Sequence, residues 1–176
     1  MLDWLAGFAL AIGLLWAVAV FHQLGHYVTG RQIVGIPRAD MRIVSHLFPR
    51  YLALSGDSGW VSPYEFDRYR ECYEQYDSGY KHLERFVAGG ELIQALVIVP
   101  LSIVLALAGF EAVSAILLVD SIIVTLSYLL VDAYLTNRSG SLSGDFSALW
   151  HVSKRVAFFL LLAFLFIHFG AFYFVV

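Results

Sequence analysis

The chain has 176 residues, of which 60% are hydrophobic and 14% are charged, and its formal net charge is −3. Its mean hydropathy of +0.74 is high for a soluble domain, and several apolar runs reach the ~20 residues that span a bilayer. It has no basic patch of the kind that nucleic acid requires, and its single cysteine, Cys72, excludes an internal disulfide bond and a multi-cysteine zinc site. We therefore expect an integral membrane protein that contacts the lipid bilayer and not nucleic acid.

The first apolar run predicts a membrane-spanning helix over residues 2–29, and it ends in His22-Gln23-Leu24-Gly25-His26. Histidines four residues apart lie on one face of a helix, one turn from each other, where they can bind one metal ion. Zinc peptidases use the pattern His-Glu-x-x-His, in which the glutamate is the general base. Gln23 occupies the glutamate position, and an amide can hydrogen-bond a water molecule but cannot take its proton. The segment therefore resembles a metallopeptidase site without its base.

Residues 31–85 form a more polar segment. Short apolar runs between 33 and 61 are separated by Pro37, Pro49 and a Ser/Gly-rich turn, which predicts two to four short strands at the membrane surface. Residues 62–87 then predict an interfacial helix with aromatic anchors, opened by a capping-box spacing with proline at the first helical position.

Three further apolar runs predict spans over 86–109, 112–136 and 155–176. The expected fold class is thus an all-α integral membrane protein, one domain with about four transmembrane helices and short surface β-strands after the first. Asp120 and Asp132 lie in the third predicted span, and an acid inside a span is a functional candidate. Asp132 is close enough to the end of its span to reach water, whereas Asp120 has no explanation from the sequence.

The positions of the basic residues predict the orientation in the cell membrane. Eight of the eleven lysines and arginines lie between Arg31 and Arg85, and the others are Arg138, Lys154 and Arg155. The positive-inside rule then places both polar segments in the cytoplasm and both termini outside. The histidine pair and the loop that contains Asp145 fall on the same, cytoplasmic side.

Two histidines alone leave a zinc site incomplete, because catalytic zinc sites use three protein ligands and an open position. From the residues alone, four side chains are candidates for the third ligand: Asp145, Asp132, Glu91 and His151. The alternative is that the histidines only pack helices together or face a cavity. The membrane helix around the pair and the acids downstream favour the metal site.

The order of three motifs resembles the site-2 protease family of intramembrane zinc metalloproteases. Residues 22–26 match the first motif apart from Gln23, including the small Gly25 before the second histidine. The opening of the second predicted span, Ala88-Gly89-Gly90, loosely matches the next motif. Asn137 and Asp145 have roughly the spacing of the last motif, although Phe146 stands where glycine is usual.

The resemblance implies an activity and a set of site residues. His22, His26 and Asp145 would bind Zn²⁺, position 23 would carry the general base, and Asn137 would help to hold the substrate or the oxyanion. The reaction would be hydrolysis of a peptide bond in or near the transmembrane segment of a single-pass membrane protein or a signal-peptide remnant.

Gln23 leaves other interpretations open. It is either natural, in an inactive relative, or an engineered replacement of glutamate, which the otherwise intact site favours. The alternative functions are a catalytically dead membrane scaffold that binds transmembrane helices and a small metal transporter that uses His22, His26 and Asp132. The transporter would need polar residues that continue to the outer face, and the first span offers little between Asp3 and His22.

Overall fold

The computed structural model describes residues 2–45, 49–140, 142 and 144–176. Seven helices and three strands follow one another in this part of the chain. They are α1 (Leu2–Thr29), β1 (Met41–Ser45), β2 (Pro49–Gly56), β3 (Gly59–Val61), α2 (Phe66–Glu74), α3 (Leu83–Val87), α4 (Gly89–Leu107), α5 (Glu111–Ser139), α6 (Asp145–Val152) and α7 (Lys154–Val175).

Four of these helices, α1, α4, α5 and α7, are long and apolar enough to cross a membrane, as the sequence predicts. Their outer surfaces are covered by large apolar side chains; Trp4 is 85% exposed and Phe166 is 79% exposed. A soluble protein rarely exposes contiguous apolar surface of this extent, whereas lipid solvates it well. The four long apolar helices and this exposed apolar surface suggest a multi-pass membrane protein.

The small sheet is antiparallel, in the order β1-β2-β3, and follows α1 after one π-helical turn over Gly30–Val34. Met41 pairs with Leu54, and Leu54 pairs with Val61 on the other side. These residues are buried in one cluster with side chains of α2, α3, α6 and the start of α7. The sheet and the short helices therefore pack together at one end of the long-helix bundle, and the turn between α4 and α5 lies at the other end.

Four features of the elements differ from the prediction. The expected capping box does not form, because the Ser62 carbonyl accepts the Glu65 amide at 2.9 Å in a turn, and the helix begins only at Phe66. The expected helix over 62–87 is two helices, separated by residues 75–82, and the expected second span is divided at Ala88. The apolar residues just after α1, read as a possible strand, continue the helix as its π-helical turn.

Candidate metal site

Three potential metal ligands meet at the end of the bundle that carries the sheet. His22 and His26 lie near the end of α1, and Asp145 is the first residue of α6. The two Nε2 atoms are 3.3 Å apart, and Oδ2 of Asp145 is 3.1 Å from Nε2 of His26. One ligand atom from each residue lies within 4.8 Å of the other two, and both histidines are almost fully buried. Within the described part of the chain, this group has the composition and spacing of a metal site.

The hydrogen bond of His26 fixes which ring nitrogen points at this group. Nδ1 of His26 lies 3.1 Å from the carbonyl oxygen of Phe86. A carbonyl oxygen only accepts hydrogen bonds, so Nδ1 is the donor and Nε2 of the neutral ring carries the lone pair.

The same holds for His22, whose Nδ1 lies 3.0 Å from Oε1 of Gln94. The side-chain nitrogen of Gln94 donates to the backbone carbonyl of Ser121 at 2.9 Å, which sets the orientation of the amide. Both Nε2 lone pairs therefore face each other and the carboxylate. Three acceptors in contact require a cation between them, either a proton in the metal-free protein or a metal ion.

Glycines allow α1 and α4 to approach closely around this group. A Cβ atom at Gly90 would lie 2.7 Å from Cε1 and 2.9 Å from Nε2 of His22, and would also overlap Nε2 of His26. A Cβ atom at Gly25 would lie 2.8 Å from the Cα atom of Gly90. The two short motifs that the sequence analysis singled out, Gly25 and the Gly-Gly pair, are thus the contact surface between these helices.

Asp132 holds Asp145 in place. Asp132 lies on α5 and is only 3% exposed, and its Oδ2 accepts the backbone amide of Phe146 at 2.9 Å. Gly144 packs against the same carboxylate: a Cβ there would be 2.5 Å from Oδ2, and its φ of +84° also favours glycine. The expectation that Asp132 reaches water was wrong, because its carboxylate caps the first turn of α6 instead.

The other two candidate ligands also lie outside the group of three. Glu91 is buried at the start of α4, and His151 is exposed in the last turn of α6. Burial raises the pKa of Asp145, but in the metal-free protein the charge and hydrogen bond of a protonated His26 outweigh burial and hold that pKa below its ordinary value. Asp145 is therefore an ionised carboxylate beside the histidines.

Gln23 is buried one residue from His22, and its side-chain nitrogen donates to the hydroxyl of Tyr128 at 3.2 Å. The Tyr128 ring stacks on the imidazole of His22 with 4.5 Å between ring centroids. Tyr128 was not predicted, since one tyrosine in an apolar span carries no distinctive pattern.

Asn137 is exposed on the last turn of α5, one and a half turns beyond Asp132, and its contact with a substrate stays a prediction.

A cavity of about 370 Å³ adjoins the group formed by His22, His26 and Asp145. Gly144 and Asp145 form part of the cavity wall. The remaining wall is mainly aromatic and aliphatic and includes Phe66, Tyr69, Tyr73, Tyr80, Leu83, Phe86, Ala148 and Val152. Several of these residues belong to the aromatic segment that the sequence placed at the membrane interface. A space of this volume with apolar walls and a few polar groups is typical of a ligand site.

Comparisons with models of protein families, with curated proteins and with solved structures gave no match to this chain. Fold and site together define a class: a helical bundle with four helices long and apolar enough to cross a membrane, and two buried histidines beside a partly buried aspartate at one end.

Proposed function

We propose that the chain binds one zinc ion through His22, His26 and Asp145 and is an intramembrane metalloprotease of the site-2 type. The observation that carries the proposal is the convergence of two Nε2 lone pairs on one carboxylate, with both Nδ1 atoms already engaged. Two nitrogens and one oxygen are ligands that suit zinc, and three protein ligands leave the open position that catalytic zinc sites have.

The chemistry follows from the ligand set and from position 23. Zinc would supply a Lewis acid that makes water nucleophilic near neutral pH and polarises a peptide carbonyl. The chain holds the histidines in the required tautomer and fixes Asp145 through Asp132. Gln23 preserves the packing of a glutamate but cannot accept a proton, so we expect very slow hydrolysis. General acid–base help of this kind is worth roughly 10²- to 10⁴-fold in rate.

A single-pass membrane protein or signal-peptide remnant is the proposed substrate. The histidines lie on an apolar helix close to its end, next to the surface sheet, which suits a peptide that enters from the bilayer. The sheet has β1 and β3 at its edges, and an unwound substrate segment can pair with such an edge. The distribution of basic residues supports a cytoplasmic site, with both ends of the chain outside the cell membrane.

Metal analysis tests the proposal directly. The purified chain should contain about one zinc per molecule, whereas His26→Ala and Asp145→Ala should lose it. His151→Ala is the control, because this exposed histidine lies outside the group of three. Full zinc content in Asp145→Ala would show that another residue completes the site.

Cleavage tests the reaction. Gln23→Glu in proteoliposomes should cut some members of a panel of single-span substrates, preferably those with helix-breaking residues, because unwinding in lipid exposes backbone polar groups. A chelator should abolish this activity. Cleavage by the unaltered chain at a comparable rate would mean that position 23 does not supply the base.

A catalytically inactive scaffold that binds transmembrane helices is the second candidate. Gln23 favours it, because its buried amide is already hydrogen-bonded to Tyr128. A Gln23→Glu protein that holds zinc, binds single-span peptides and cleaves none of them would make the scaffold the better assignment.

A further inference from the structure

A continuous line of buried hydrogen bonds runs from the metal group to the last long helix. Beyond the bond between His22 and Gln94, the Gln94 side-chain nitrogen lies 2.8 Å from Oγ of Ser121. Oγ of Ser121 lies 2.8 Å from Nε2 of His168, and Nδ1 of His168 lies 2.8 Å from the carbonyl oxygen of Phe164. Gln94, Ser121 and His168 are each 0% exposed. The line joins α1, α4, α5 and α7.

The donor and the acceptor in every hydrogen bond of this line follow from the last bond, which ends on the carbonyl oxygen of Phe164. The Phe164 carbonyl only accepts, so Nδ1 of a neutral His168 donates and its Nε2 must accept. The Ser121 hydroxyl therefore donates to His168, and its oxygen accepts from the Gln94 amide nitrogen. That nitrogen also donates to the Ser121 carbonyl, and Thr125 Oγ1 lies 3.2 Å from it. The Gln94 carbonyl oxygen is then left to accept the proton on Nδ1 of His22.

We propose that Gln94, Ser121 and His168 are positioning residues that hold His22 in the tautomer with a bare Nε2. The opposite tautomer would direct an N–H at the metal and could not ligate it. The inference rests on the proposed metal site, and it gives a role to α7, which supplies none of the three ligands. Four polar side chains in line across an apolar bundle are costly to bury, which favours a role beyond joining helices.

A comparison of two serine variants distinguishes a role in positioning His22 from a role in helix packing alone. Ser114 also joins α4 and α5: its hydroxyl donates to the carbonyl of Ser102 at 2.7 Å, and both serines are 0% exposed. Ser121→Ala removes two buried interhelical hydrogen bonds and Ser114→Ala removes one, so both variants should lose thermal stability, Ser121→Ala more than Ser114→Ala. Only Ser121→Ala should weaken binding of zinc or cobalt, measured in detergent by competition with a chelator. Equal affinities in the two variants would overturn the proposal.

Two substitutions of Gln94 provide a second pair of variants. Gln94→Leu removes the acceptor for His22 and should weaken metal binding by about 10- to 100-fold, the usual effect of losing such a partner. Gln94→Glu keeps an acceptor oxygen for His22 but loses the nitrogen that donates to the Ser121 carbonyl, so its metal affinity should lie between those of Gln94→Leu and the unaltered chain. If Gln94→Leu binds metal as tightly as Gln94→Glu, the amide does not position His22.

The tautomer can also be read without metal. Nitrogen NMR of ring-labelled histidine should show His22 protonated at Nδ1 in the unaltered chain and redistributed in Gln94→Leu. If the unaltered chain binds no metal, the proposed function fails, while this spectrum still decides whether the hydrogen-bond line sets the tautomer. An unchanged His22 spectrum in Gln94→Leu would refute the positioning role.

Discussion

Replacing Gly90 by alanine should weaken metal binding at the proposed site while leaving the bundle folded. The new Cβ would lie 2.7 Å from Cε1 of His22, whereas carbon atoms in good contact are about 3.5–4.0 Å apart. The shortfall is about 1 Å. The imidazoles cannot move away freely, because Gln94 and the Phe86 carbonyl hold their Nδ1 atoms at 3.0 Å and 3.1 Å.

The size of the effect follows from the cost of overpacking. Inserting a methyl group into a well-packed interior costs about 1–3 kcal/mol. If the histidines shift to relieve this strain, binding must restore their positions against the same energy, which corresponds to roughly 5- to 150-fold weaker zinc affinity. Competition with a chelator in detergent micelles measures the affinity, and thermal unfolding measures the loss of stability.

Gly13→Ala is the matched control, because Gly13 lies in the same helix as the histidines and a Cβ there meets nothing within 4 Å. Alanine is favoured over glycine in a helix by up to about 1 kcal/mol, so this variant should be neutral or slightly stabilised. Its zinc affinity should not change. Unaltered zinc affinity in Gly90→Ala would refute the close approach of α4 to the histidine pair.

Three further predictions concern the polar end of the bundle. Burial raises the pKa of Asp77, but the His82 amide, the Tyr73 hydroxyl and the Lys81 amide favour its carboxylate more strongly and lower that pKa below its ordinary value. Asp77→Asn should therefore lower the unfolding free energy by about 1 kcal/mol at pH 7, and the difference should disappear as the pH falls below about 4; a constant difference in denaturation from pH 7 to pH 3 would contradict this. Ala148→Trp should fill the cavity beside Asp145 and weaken binding of an apolar single-span peptide with zinc content unchanged, and unchanged peptide binding would exclude the cavity as the substrate site. In a Cys72→Ser background, Asp57→Cys and Arg138→Cys should react with a membrane-impermeant thiol reagent only from the cytoplasmic face, and labelling of either from outside would overturn the orientation.

The long helices and the histidine pair could be predicted because their signals are local. About 20 apolar residues in sequence suffice to indicate a spanning helix, and a separation of four residues places two side chains on one helical face. The structure confirms four helices that are long and apolar enough to cross a membrane. The proximity of Asp145 to the histidines could not be predicted from a local pattern, because 118 residues lie between His26 and Asp145. Contacts with Asp132 and Gly144 bring Asp145 to the histidines.

The residues that contact the histidine pair, directly or through one another, could not be predicted from the sequence. Their contacts form only when the helices pack together. Gln94, Ser121, Tyr128 and His168 are each an isolated polar side chain in an apolar span, and only the packed bundle brings them into line with His22. The break between α3 and α4 at Ala88 was also not predicted. Asp120 has one buried carboxylate oxygen without a hydrogen-bond partner among the described residues, and nothing in the structure explains it.

The side chain at position 23 decides between the two proposed functions, a protease and a catalytically inactive scaffold. Gln23 donates to the Tyr128 hydroxyl, and the same tyrosine ring stacks on His22, so Tyr128 contacts both the side chain at position 23 and a proposed metal ligand. Glutamate has nearly the same size but only accepts hydrogen bonds when ionised, so the Tyr128 hydroxyl would have to reverse and become the donor. Gln23→Glu therefore supplies a group that can accept a proton at nearly constant side-chain volume, and its outcome separates the two functions.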